Sequence, residues 1–100
     1  MGLKIVERID KDLQVLIPGF MDITHKEIKD LEQALVLGDM SVAARIGHNI
    51  KGSALNYGFV HLGDIGRRIE SSAAQNRHKK VQAELEMLKD YVDRVEVTFV

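Results

Sequence analysis

The chain has 100 residues, 45% of them hydrophobic, with a single proline and no cysteine. That describes one globular domain able to bury about 60–65% of its unfolded surface, without disulfides or cysteine-based zinc sites. A net charge of −1 offers nothing to nucleic acid or an acidic membrane.

No apolar run approaches the ~20 residues of a membrane span, and the first residues lack the apolar core of a signal peptide. A soluble, cytoplasmic protein is the expectation. Lys4 to Ile9 alternates weakly, with Ile5 and Ile9 set against Lys4, Glu7 and Arg8. Its natural counterpart is the β-branched and aromatic end, Val95-Glu96-Val97-Thr98-Phe99-Val100. The two are expected to meet as a small antiparallel pair, unless the last helix continues through Val97. Asp10 to Leu16 reads as a short helix that ends before Pro18, because a residue preceding proline avoids the α region.

Pro18 suits the first turn of the next helix, which runs to Leu37 with Phe20, Ile23, Ile28, Leu31, Ala34 and Leu35 inward. Gly38 stops it, and Asp39 is the natural N-cap of the helix that follows and ends at Gly58. A third long helix spans Phe59 to Ala74, burying Leu62, Ile65, Ile69 and Ala73. After a turn over 75–78, the last helix runs from Lys79 to Val92 or beyond on Val81, Leu85, Leu88 and Val92. Four such helices with short connections predict an all-α, antiparallel up-down four-helix bundle with a short N-terminal helix, one domain over residues 1–100.

The helix from Asp39 to Gly58 carries the chemistry. At about 100° per residue, Val42, Ala43, Ile46, Ile50, Ser53, Ala54 and Tyr57 share a mostly apolar side. Ser41, Ala44, Arg45, His48, Lys51, Gly52 and Leu55 share the other, with His48 near its middle. Glycine inside a helix costs about 1 kcal/mol relative to alanine, yet Gly47 and Gly52 flank the histidine. Close helix packing accounts for Gly47. Gly52 projects to the histidine side, where its missing side chain leaves room for an incoming molecule.

The run His48-Asn49-Ile50-Lys51-Gly52-Ser53 resembles the His-x-x-Lys-Gly-Ser signature of histidine-containing phosphotransfer (HPt) domains. His, Lys and Gly at that spacing arise by chance in roughly one chain in a hundred of this length. The likeness extends over about residues 10–94, including Ala43 to Gly58 and the spacing of Leu62, Ile65, Ile69 and Glu70. It implies that His48 accepts a phosphoryl group from a receiver-domain aspartate or a histidine kinase and passes it on, without kinase activity of its own. An ordinary exposed imidazole is mostly neutral at pH 7, so one ring nitrogen keeps a lone pair. Lys51 favours that neutral form by repulsion and then attracts the added phosphate.

Arg45, Gly52, Leu55 and Ala44 are the expected docking face for a response-regulator receiver domain. No metal is expected: His25, His61 and His78 belong to no ligand constellation. Without a glycine-rich phosphate loop, no nucleotide cofactor is expected either. Ser53 reads as a packed small residue. A monomer is expected, and the competing reading is a non-catalytic helical adapter that binds a signalling partner through the His48 face.

Overall fold

The computed structural model describes residues 3–100. Strand β1 (Ile5–Ile9) leads into a 3-10 helix (Lys11–Leu16), then helices α1 (Ile17–Leu37), α2 (Met40–Tyr57), α3 (Val60–Ala74) and α4 (His78–Arg94), and strand β2 (Val95–Phe99) closes the chain. α1 packs on α2 and α4, and α3 packs on α2 and α4, so the four helices surround one core.

The helix ends follow from local chemistry. Pro18 sits in the first turn of α1, where a missing N–H costs nothing. Gly38 and Gly58 end α1 and α2 in the left-handed conformation, at φ 68° and 89°, which a Cβ would strain. Asp39 caps α2 by accepting from Val42 N at 3.1 Å. That bond, with a second from the Ser41 hydroxyl, holds the Asp39 carboxyl below the usual carboxylate range.

α3 is capped from a distance. Phe59 at its N-cap has no side-chain oxygen, and the free N–H groups of His61 and Leu62 donate instead to Glu7 Oε1 and Oε2, at 3.2 and 3.1 Å. Tyr91 of α4 donates its hydroxyl to Glu7 Oε2 at 2.8 Å. Burial, then this bond to Glu7, push the Tyr91 hydroxyl well above its ordinary value. Glu7 is thus fully buried, contrary to the expected outward placement. It has the same period-2 phase as Ile5 and Ile9, and three donors take the place of water around its carboxylate.

β1 and β2 do pair, but in parallel, with Ile5 opposite Val95 and Ile9 opposite Phe99. This corrects one expectation, for the pair is not antiparallel. The last helix runs past Val92 and stops at Arg94, which excludes the alternative of its continuing through Val97, and the four helices fit the all-α expectation with a short strand pair added. Two apolar five-residue strands look alike in either sense; direction is set by where the bundle delivers its ends. The expected N-terminal helix is present as a 3-10 helix, started by Asp10, which accepts from Asp12 N. Ile23 also departs from expectation, being 58% exposed.

The core runs from Ile9 and Phe20 through Leu31, Ile50, Leu62 and Ile69 to Val81, Leu88 and Tyr91. Each such large side chain contributes about 1.5–3 kcal/mol of burial. Phe20 stacks on Tyr57 and Phe59, with centroids 4.7 and 4.6 Å away. It ties α1 to the turn between α2 and α3.

Candidate functional site

The site begins with two glycines. A Cβ on Gly47 would lie 2.5 Å from Glu70 N, and one on Gly66 would lie 2.6 Å from Lys51 N. Both clashes are with backbone, so only glycine lets α2 and α3 approach this closely. The Glu70 backbone therefore rests on Gly47, the residue before His48. The packing role expected of Gly47 holds, and it has a counterpart on α3 that the sequence reading passed over.

This approach brings Glu70 to the histidine. His48 Nδ1 lies 2.9 Å from Glu70 Oε2, and Lys51 Nζ lies 2.8 Å from Glu70 Oε1. Both His48 and Lys51 reach the carboxylate from successive turns of α2. The two bonds, Lys51 first and His48 second, hold the Glu70 carboxyl below its usual range. It is an anion at neutral pH and can only accept hydrogen bonds, so the ring nitrogen facing it carries the proton. In the neutral ring the lone pair then lies on Nε2. That nitrogen has no hydrogen-bond partner among the described residues, and the His48 side chain is 63% exposed.

The remaining expected residues fall as follows. Gly52 faces open space, with nothing within 4 Å of where a Cβ would stand. Arg45 is exposed, one turn before the histidine. Leu55 is 58% exposed and lies over Gly63 of α3. Ala44 is half-buried against the core and offers little surface. Ser53 is half-buried. Lys51 is brought beside His48, but its ammonium is held by Glu70, so the expected lone cation is one member of a His48–Glu70–Lys51 cluster.

Sequence reasoning missed Glu70 as a site residue, having placed it only within the spacing of α3. Its signal was indirect: a carboxylate next to the buried Ile69 and one turn after a helical glycine, Gly66. Clefts lie between β1, α3 and α4, between α1 and α4, and between α1 and α2; His48 lines none of these three. An exposed ring nitrogen outside these clefts suits a partner that arrives as a surface rather than a small molecule held in a pocket.

Comparison with known families identifies the class. Residues 16–98 match the model of the Hpt domain, so the chain belongs to the Hpt domain family. Hpt domains are phosphotransfer modules of two-component signalling, without kinase activity, that interact with receiver domains and histidine kinases. No curated protein and no solved structure gave a match. No helix of the described residues is long and apolar enough to cross a membrane.

Proposed function

We propose that His48 is the phosphoacceptor of a phosphorelay, taking a phosphoryl group from a receiver-domain aspartate or a histidine kinase and passing it on. The observation that carries this reading is the Glu70 carboxylate at 2.9 Å from Nδ1, which puts the lone pair of an exposed histidine on Nε2. As Nε2 attacks phosphorus, the bond from phosphorus to the donor carboxylate oxygen breaks and the carboxylate leaves with its electrons. The ring keeps its proton on Nδ1 and becomes cationic, and Glu70 stabilises that charge. No proton has to move. Return transfer to a second receiver runs the same steps backward.

Lys51 holds Glu70 in place and supplies positive potential next to the incoming phosphate. Phosphoryl transfer needs positioning and charge neutralisation more than covalent chemistry from the protein, and a fixed cluster on packed helices provides both. Gly52 leaves the approach open, and Arg45, Leu55 and the edge of Ala44 complete the docking face. The contacts of α2 with α3 descend from Gly47 against Glu70, through Lys51 against Gly66, to Leu55 against Gly63. They support an up-down bundle in which the histidine stands on a rigid support. The working protein is a cytoplasmic monomer that uses no cofactor of its own.

The test is labelling by phosphoramidate and by receiver domains loaded from acetyl phosphate. Acid-labile, base-stable label on the parent, absent from His48→Gln at an unchanged melting temperature, is the expected result. Surface substitutions move stability by less than ~0.5 kcal/mol. Label that survives in His48→Gln would place the acceptor elsewhere.

A further inference from the structure

The molecule carries one concentration of charge that the His48 cluster does not use. Arg77, His78, Lys79 and Lys80 follow one another at the start of α4, all exposed. Arg77, Lys79 and Lys80 form no ion pair among the described residues. Outside this run, eleven lysines and arginines face fifteen carboxylates, so a cationic corner sits on an otherwise acidic chain. The corner has the wrong sign for its place. A helix start favours anions, yet the first turn of α4 has no acidic residue and Arg77 at its N-cap makes no side-chain bond. The α1 end adjoins it, with Val36 and Leu37 at 85% and 71% exposure, and a Cβ on Gly38 would be 3.8 Å from His78 Cε1.

The corner is close to the histidine. Arg77 N donates to Ser72 O at 2.9 Å, two residues beyond Glu70. Ser72 itself is buried against Glu84 and Lys79 lines the cleft between α1 and α4, so the corner lies beside the His48 face, within the reach of about 20 Å that charge has at 20 mM salt. A protein that carries phosphate on a carboxylate, beside the carboxylates that hold its Mg²⁺, presents an anionic face. We infer that Arg77, Lys79 and Lys80 steer the anionic face of the phosphorylated receiver domain by long-range attraction as it approaches His48. The inference rests on the phosphorelay reading and adds to it the source of the encounter rate.

The variant Arg77→Ser, Lys79→Gln, Lys80→Gln removes the charge and gives α4 a good N-cap, so folding is maintained. Transfer is followed from receiver domains loaded from acetyl phosphate and Mg²⁺, keeping the receiver that labels the parent fastest. The second-order rate constant should fall about tenfold at 20 mM salt, and the difference should vanish near 0.5 M. The transfer rate at saturating receiver and labelling by phosphoramidate, which needs no docking, should both be unchanged. Equal rate constants at low salt would overturn the inference, as would a loss that persists at high salt. Equal loss toward phosphoramidate would overturn it too, because the substitutions would then act on His48 itself. So would unchanged transfer with lost binding to phosphatidylglycerol vesicles, which would assign the corner to a lipid surface. If phosphoramidate labels the parent but no receiver does, docking with receivers falls and the corner's role falls with it. If neither donor labels His48, the phosphoacceptor reading itself fails.

Discussion

Gly66→Ala and Gly52→Ala make the same chemical change and should have opposite effects. A Cβ at 66 would lie 2.6 Å from Lys51 N, 2.9 Å from Gly47 O and 2.9 Å from Ile50 Cγ2. Ordinary carbon contacts are about 3.5–4.0 Å, so α2 and α3 must separate locally by about 1 Å. Overpacking of this kind costs about 1–3 kcal/mol, against about 1 kcal/mol gained from helix propensity. The net loss should be up to about 2 kcal/mol. At 52 nothing lies within 4 Å, so only the propensity gain of up to about 1 kcal/mol remains. The two variants therefore differ by the overpacking cost of about 1–3 kcal/mol, and at about 4–8 °C per kcal/mol for a domain this size their melting temperatures should differ by about 4–24 °C. The same separation would stretch the 2.9 and 2.8 Å bonds of Glu70 past hydrogen-bond range, so Gly66→Ala should also slow labelling by phosphoramidate, whereas Gly52→Ala should not. Far-UV circular dichroism during heating and urea titration reads stability. Shifts of equal sign would refute the close approach at Gly66. A destabilised Gly66→Ala that labels normally would refute the role given to Glu70.

Glu70→Gln keeps an oxygen for Nδ1–H but removes the charge that supports the cationic ring, and labelling of His48 should slow by about 10–100-fold with helicity intact. Normal labelling would reduce the contact to a surface ion pair. Glu7→Gln turns one of two acceptor oxygens into a donor aimed at groups that already donate, and should cost about 1–3 kcal/mol by urea unfolding. A loss under 0.5 kcal/mol would mean that water reaches this cap. Glu70 and Asp39 have lowered folded values, so their stabilisation is present above the ordinary carboxylate value near ~4 and lost as pH falls through the folded values. Urea midpoints of the parent should therefore drop below about pH 4, and less so in Glu70→Gln. Identical acid limbs would show that the Glu70 bonds add nothing to folding.

Much of this molecule can be read in its residues because the signals are local. Gly38, Asp39 and Gly58 mark helix ends within the residues they touch, and the apolar spacing of α2 puts His48 outward without reference to any neighbour. What escaped reading acts between segments. Glu70 matters only because Gly47 and Gly66 bring two helices together, and neither glycine says which partner it meets. Glu7 was misplaced by its charge. Its phase matched Ile5 and Ile9, but the donors that make burial tolerable come from α3 and α4, more than fifty residues away. The parallel sense of the strands depends in the same way on the path of the whole chain.

The strand pair also bears on the order of folding. Ile5 pairs with Val95, so each rung of the ladder closes a loop of nearly the entire chain. Such contacts gain energy only after most of the loop entropy has been lost. The helices, with their near-neighbour contacts, form first, and the clasp closes last and opens most readily. Amides of β1 and β2 should then exchange with solvent before those of α2 and α3. The family match begins at residue 16, beyond β1. A protein shortened to that match would keep α1 to α4 and His48, but lose the 3-10 helix and leave α3 uncapped, the Tyr91 hydroxyl unpaired in the interior, and β2 an open edge for other chains to join.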